Sequence, residues 1–303
     1  MESNSKLYFV QCLSPVHIGA GQGTGIVDMP MIREKATQWP LLPGSSMKGV
    51  HREYFRLQGR DYNQEWLNAA FGKASGSRGE PGNAGALVLS DGRILAFPVA
   101  SRYGTFAYVT CPLVLKRLRR DLSAAGIGSP ELDFAALESR LAEDSQAVAG
   151  SSQVIAPGMK LYIDEFTCRV AEDTHFARWA DWLAAAMFLD GLSRRMLTER
   201  MVLVTDEAFQ YFVTACSEIV PRIRITPDSG TVQDGALWYE EYLPAESLLY
   251  GVVWCDKIHG PVNGLTEQKL LAALSGEAML QIGGNATVGK GRIRLRFTEG
   301  GAR

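Results

Sequence analysis

No two of the five cysteines (Cys12, Cys111, Cys168, Cys216, Cys255) form a CxxC pair, and their number is odd. That argues against a zinc ribbon and a disulfide framework, and a reduced, cytoplasmic setting is expected. No run of eighteen apolar residues is present to cross a bilayer. The opening MESNSKLYFV also lacks the basic segment and apolar core of a signal peptide, so no membrane partner is expected. Positive charge is not in excess: 31 Lys and Arg against 33 Asp and Glu give a formal net charge of −2. An RNA partner could not be held by bulk charge and would need locally concentrated Lys and Arg. The 303 residues exceed what one simple core needs, so one domain with large insertions or two domains are expected.

Glycine is what the chain does concentrate. Leu7–Val10 reads as a strand running toward Cys12, and residues 17–34 then read HIGAGQGTGIVDMPMIRE. Gly19, Gly21, Gly23 and Gly25 precede a single acid, Asp28, after which Met29-Pro30 restores stiffness. Such a loop lets another backbone approach closely. On the residues alone, Asp28 is either displayed to a ligand or closes a turn by bonding nearby N–H groups.

The turn over 39–46 leads into a helix for which Ser45 or Ser46 is a suitable N-cap. Met47, Val50, Tyr54 and Leu57 share its apolar face. Lys48, Arg52 and Arg56 form a basic stripe beside a helix N-terminus that can hold an anion, although a solvated face is the plainer reading. Residues 72–85 read as a mobile loop, followed by strands near 86–90 and 94–99 and a helix over 113–122. The polar stretch 124–158 suits an inserted helical or partly disordered lobe. Residues 160–170 alternate as one strand, 176–186 as an amphipathic helix, and 201–204 and 209–212 as strand material. Residues 220–254 read as a long hairpin whose base rejoins the core at 248–254. A helix near 265–274 precedes a last strand with Arg292, Arg294 and Arg296 on one face and Ile293, Leu295 and Phe297 on the other. Sheet segments so far apart indicate an α+β fold rather than a regular βαβ array.

Two phosphate motifs fail. A G-x-G-x-x-G starting at Gly19 and Gly21 would need glycine at 24, which is Thr24. Gly284-x-x-x-x-Gly289-Lys290 opens like a P-loop, but position 291 is glycine instead of Ser or Thr, and an alternating strand follows instead of a helix. A glycine-rich turn with one lysine can still cradle a backbone phosphate through its N–H groups, which makes Gly284, Asn285, Gly289 and Lys290 candidates for RNA contact.

IGGN followed by VGKG (282–291), together with SPVHIGAG (14–21) and LLPGSSMKGVHRE (41–53), resembles the RAMP superfamily of CRISPR-associated proteins. More narrowly, GTGIVDMPMIRE and LWYEEYLP resemble the repeated backbone subunit of the Cmr (type III-B) CRISPR effector complex. The resemblance implies an RRM-like (ferredoxin-like) palm with an inserted thumb β-hairpin and a helical finger or lid. On this chain the palm takes 1–71, 159–217 and 248–303, with glycine loops at 17–34 and 283–291; the finger takes 72–158 and the thumb 218–247. It implies copies stacked helically along a guide CRISPR RNA beside other Cmr subunits, a thumb that kinks the guide–target duplex, and a loop aspartate that cuts single-stranded target RNA at regular intervals. That aspartate is Asp28 in the D-x-P-x-x-R-E context. The family's histidine matches His17, and its thumb acid and tyrosine fall in Trp238-Tyr239-Glu240-Glu241-Tyr242, with Glu240 and Glu241 both open.

RNA cleavage needs an aligned 2′-hydroxyl, a proton acceptor and stabilisation of developing charge. One carboxylate can hold hydrated Mg²⁺ or Mn²⁺, so Asp28 is expected to serve a metal-assisted cut leaving a 2′,3′-cyclic phosphate and a 5′-hydroxyl. His17 is an acid, a phosphate contact or a loop-packing residue. Glu240 and Glu241 assist or are solvated. Tyr239 and Tyr242 are expected to stack on displaced bases, and Trp238 either stacks or anchors the hairpin. Gly19, Gly21, Ser45, Ser46, Lys48, Arg52, Lys290 and Arg292 are the expected backbone contacts. A non-cutting guide scaffold, a guide-precursor endoribonuclease and a phosphate-using metabolic enzyme are the rivals.

Overall fold

The computed structural model describes residues 4–298 except 22, 24, 60–61, 76–80, 144–146, 151–152 and 260–263. The strands in chain order are β1 (Ser5–Cys12), β2 (Leu41–Leu42), β3 (Gly72–Lys73), β4 (Asn83–Ala84), β5 (Leu87–Leu89), β6 (Gly92–Ala100), β7 (Phe106–Thr110), β8 (Ala147–Ala149), β9 (Ile155–Ala156), β10 (Lys160–Ile163), β11 (Phe166–Glu172), β12 (Met201–Leu203), β13 (Glu218–Ile225), β14 (Val232–Tyr242), β15 (Leu248–Cys255), β16 (Glu277–Gln281) and β17 (Arg292–Phe297). The helices are α1 (Gly44–Gln58), α2 (Gln64–Phe71), α3 (Pro112–Ala124), α4 (Phe134–Ala142), α5 (Thr174–Met187), α6 (Gly191–Thr198), α7 (Asp206–Ala215) and α8 (Glu267–Ala273).

One large sheet runs β16-β17-β1-β15-β6-β7-β12-β8-β11-β10-β9, with β2 added on β6 and β5 on β15. β1 is buried on both faces from Leu7 to Cys12, which suits its place between β17 and β15. β17 shows the expected alternation: Ile293, Leu295 and Phe297 face the core. Its arginine face is largely covered, since Arg294 Nη1 donates to Asp190 Oδ2 at 3.0 Å and Arg296 Nη1 to the Ala185 carbonyl at 2.7 Å.

Several elements differ from expectation. α1 begins at Gly44, and its first N–H donates to Asp91 Oδ1 at 2.7 Å; neither Ser45 nor Ser46 caps it. Its buried face is Met47, His51 and Phe55, and Leu57 is exposed. Residues 160–170 are two strands, β10 and β11, that turn at Asp164, where φ is 48°. Residues 209–212 lie in α7, capped by Thr205 Oγ1 on the Ala208 N–H and opened by Asp206 and Glu207; Phe209, Phe212 and Val213 make its buried face. Residues 87–110, which the resemblance puts in an insertion, supply β5, β6 and β7 to the main sheet, and β8 sits buried within it. Of the stretches expected to be mobile or disordered, 76–80, 144–146 and 151–152 lie outside the described residues.

β13 and β14 form the expected projecting ribbon. Pro221 lies opposite Tyr239, whose own N–H and C=O turn away toward the glycine loop. The missing proline N–H therefore costs no ladder bond there.

Candidate active site

The loop after β1 folds back as two short extended pieces and joins the ribbon. The Ile32 N–H donates to the Ile18 carbonyl at 2.8 Å and the Ala20 N–H to the Pro30 carbonyl at 3.0 Å. On the other side the Met29 N–H donates to the Tyr239 carbonyl and the Glu241 N–H to the Met29 carbonyl, both at 3.0 Å, so residues 29–31 run parallel to β14. Gly23 closes the turn before Asp28 with its N–H on the Asp28 carbonyl at 2.9 Å, and a Cβ there would stand 2.3 Å from the Val27 carbonyl oxygen.

Asp28 is exposed, and its Oδ2 accepts the Tyr239 N–H at 2.8 Å. It lines an open cleft of about 650 Å³ with Met29, Arg224, Leu237, Trp238 and Glu240. The carboxylate thus bonds to the distant ribbon instead of to the N–H groups of its own turn, and it stands exposed.

Glu240 and Glu241 are successive in a strand and so point to opposite faces. Glu240 lines the Asp28 cleft; it is buried, not solvated. Its Oε1 accepts from Trp238 Nε1 at 2.9 Å, and its Oε2 accepts from Asn285 Nδ2 at 2.9 Å and from the Tyr242 hydroxyl, with Arg222 Nε at 3.5 Å. Burial pushes its pKa up, but the hydrogen bonds from Tyr242 and Trp238 together with Arg222 outweigh burial and leave it below the usual carboxylate range. An ionised acid with its oxygens so engaged organises the cleft wall and is poorly placed to carry a proton. Glu241 is also buried and does not reach the cleft; its Oε1 pairs with Arg33 Nη2 at 2.6 Å.

Tyr242 is buried, which corrects its expected stacking role. Burial first, and then its bond to Glu240, pushes its pKa up to about 12; Asn285 Nδ2 donates to its oxygen at 2.7 Å and Lys290 Nζ lies 4.8 Å over its ring. Tyr239 is exposed, and the Trp238 ring is half-buried at the cleft.

His17 is buried, with Nδ1 donating to the Glu241 carbonyl at 2.7 Å and its ring 5.4 Å from that of Tyr242. The ring is thus packed between the loop and the ribbon. The second glycine loop closes over it: the Gly284 N–H donates to the His17 carbonyl at 2.9 Å, and Gly283, at φ +80°, has space for a Cβ only 2.3 Å from that oxygen. The Gly289 and Lys290 N–H groups bond within the same turn, to Ala286 and Asn285. The amides of Gly284, Gly289 and Lys290 are therefore engaged within the protein.

Among the expected backbone contacts, Gly19, Gly21, Ser45 and Arg292 are exposed, and Ser46, Lys48 and Lys290 are half-buried. Burial, followed by the neighbouring Arg52, lowers the Lys48 pKa. Arg52 itself is engaged, donating to the carbonyls of Leu67 and Gly72 and to Asn68 Oδ1, and so joins α1 to α2. Among the described residues, no helix is long and apolar enough to cross a membrane, and no group of three His, Cys, Asp or Glu is placed to hold a metal.

The sequence pattern of the RAMP superfamily matches residues 9–294, spanning both glycine loops and the ribbon. The chain belongs to the RAMP superfamily. It is similar to the CRISPR system Cmr endoribonuclease Cmr4 of Pyrococcus furiosus, at 34% identity over 95% of this chain and 93% of the relative. The crystal structure of oligomeric Cmr4 from Pyrococcus furiosus matches with a TM-score of 0.73 at 28% identity, covering 98% of this chain and 99% of that one. A subunit in the cryo-EM structure of the type III-B Cmr-beta bound to cognate target RNA shares the fold, with a TM-score of 0.72 at 19% identity over 97% and 96% of the two chains.

Within this RAMP protein, sequence reasoning gave Arg33 no role beyond its motif. Arg33 joins Gln38, Val213, Ser217 and Glu241, and all of these but Gln38 lie too far along the chain for spacing to reveal them.

Proposed function

We propose that this chain is the guide-RNA-binding, target-cutting backbone subunit of a type III-B CRISPR effector complex, with Asp28 as its catalytic residue. The observation that carries this is the exposed Asp28 carboxylate, tied to the thumb strand and set in a cleft beside Trp238 and Arg224. The similarity to an endoribonuclease and to an oligomeric relative supports a stacked assembly. An RRM-like palm fits the antiparallel order β17-β1-β15-β6, with α1 between β1 and β6 and α8 between β15 and β17 in sequence, which is the split βαβ arrangement. The β13–β14 ribbon is then the thumb.

In this reading the target strand enters the cleft with its backbone distorted by the ribbon, and its own 2′-hydroxyl attacks the phosphorus in line. The P–O5′ bond breaks as the 5′ oxygen takes a proton from water, leaving a 2′,3′-cyclic phosphate and a 5′-hydroxyl. Asp28 receives or orients the departing 2′ proton, Glu240 in the cleft wall is held by its bonds to Trp238, Tyr242 and Asn285, and Arg224 in the same cleft faces the developing charge. Magnesium or manganese needs only one or two protein carboxylates, so the exposed Asp28 would be the residue that holds such an ion. Such an ion, when bound, would supply charge stabilisation at the phosphate. Arg292, Lys290 and Lys48 are the proposed guide-backbone contacts; specificity is left to base pairing.

A second reading, a scaffold that never cuts, takes the Tyr239 bond as the whole purpose of Asp28. Reconstituted complex carrying Asp28→Ala decides between them, using labelled complementary RNA in Mg²⁺. Loss of cutting at every site with target binding retained establishes the nuclease, whereas unchanged cutting leaves Asp28 a structural tie.

A further inference from the structure

We propose that Glu241 and Arg33 form a positioning pair that holds the Asp28 loop in register with the thumb strand, an inference that rests on the target-cutting role of Asp28. In the parallel pairing of residues 29–31 with β14, the rung after Met29–Tyr239 and Glu241–Met29 would carry the Met31 N–H to the Glu241 carbonyl. That carbonyl is taken by His17 Nδ1 at 2.7 Å. The Glu241 side chain replaces it: Oε2 accepts the Met31 N–H at 3.0 Å. The other oxygen, Oε1, holds Arg33 Nη2 at 2.6 Å.

Arg33 in turn is fixed to a rigid element. Its Nη1 donates to the Gln38 carbonyl at 2.7 Å and to the Val213 carbonyl at 2.9 Å, near the C-terminal end of α7, and its Nη2 donates to Ser217 Oγ at 2.9 Å, where the ribbon begins. Carbonyls at a helix end lack intrahelical donors, so the guanidinium meets a real need there. The pair is nearly closed to solvent, with side-chain exposures of 14% and 11%. One carboxylate thus ties three parts together: the loop three residues beyond Asp28, the strand whose Tyr239 amide orients Asp28, and α7. Glu241 never reaches the cleft, so its effect on cutting passes through the placement of Asp28. Displacement of a reacting group by about 1 Å costs on the order of 100-fold in rate.

The test uses reconstituted complex with Glu241→Ala, Glu241→Gln, Arg33→Lys and Asp28→Ala. It reads the single-turnover cutting rate, the target-RNA Kd, and hydrogen exchange across 26–33 in each. The expected result for Glu241→Ala is a rate loss of about ten- to 100-fold with unchanged Kd, and faster exchange in 26–33 but not in β1 or β15. Glu241→Gln keeps an acceptor for the Met31 N–H and recovers most of the rate, and Arg33→Lys falls between. Should Glu241→Ala fail to assemble, Arg33→Lys and Glu241→Gln carry the test. Wild-type rates in the Glu241 and Arg33 variants with Asp28→Ala inactive overturn the pair, as does a loss of rate and affinity together that Gln does not relieve. Normal cutting by Asp28→Ala instead refutes the nuclease assignment, and exchange in 26–33 then decides the pair alone.

Discussion

The carboxylate of Asp28 and the backbone amide of Tyr239 meet at 2.8 Å, across 211 positions of sequence. The amide, not the phenol, is the partner, and the Tyr239 ring stands exposed. Replacing the ring therefore leaves the orientation of Asp28 intact. Tyr239→Ala is expected to cut at unchanged positions and near wild-type rate under saturating conditions, with any loss confined to target affinity; cleavage mapping beside a binding titration checks this.

Glu240 ties its role to pH. Its pKa in the folded chain lies below the ordinary value, so the stabilisation it gives is complete above the usual glutamate range, near pH 4.3, and fades as pH falls through the lower folded value. Glu240→Gln offers one acceptor oxygen to Trp238, Tyr242, Asn285 and Arg222, which strands buried donors at a cost of about 1–3 kcal/mol. Melting curves should separate the variant from wild type at pH 7, and the gap should close as pH falls through the lowered folded value.

Adjacent glycines of the second loop should respond oppositely. Gly283 has φ +80° and a Cβ site 2.3 Å from the His17 carbonyl oxygen, while the nearest atom to a Cβ on Gly284 is 3.8 Å away. Gly283→Ala is expected to destabilise the chain by more than about 1 kcal/mol, and Gly284→Ala to melt near wild type.

Two arginines divide in the same way between structure and binding. Arg52→Ala removes the tie from α1 to Leu67, Gly72 and Asn68 and should lower the melting temperature without altering the salt dependence of RNA binding. The exposed Arg292 should do the reverse: its loss reduces the slope of log affinity against log salt by about 0.7 per contact on single-stranded RNA.

Local chemistry made much of the fold legible. The apolar run of β1, the alternation of β17 and the ribbon ahead of β15 all follow from side-chain period. In α7 the aromatic content of 209–212 suggested a strand, although Thr205 followed by Asp206 and Glu207 was a helix start, and Phe209, Phe212 and Val213 already had helical spacing. In α1 the buried face runs through His51, whose polar label hid it behind Leu57. Glycine and proline bracket Asp28 and single it out as a loop acid, while its expected role came from the resemblance. Strand alternation separates Glu240 from Glu241, but which one faces the cleft depends on Arg33, Met31 and Asn285. Partners that distant leave no local signature.

The placement of β1 between β15 and β17 has a consequence for synthesis. Arg292 and Ser14 bond across 278 positions, and Glu240 in the wall of the Asp28 cleft is held by Asn285. On a ribosome the aspartate loop emerges early and waits until β14, β17 and the loop between β16 and β17 have been made. A nascent or prematurely terminated chain carries Asp28 without the strand amide that aims it. The tie between Asp28 and Tyr239 forms only once β14 has been made.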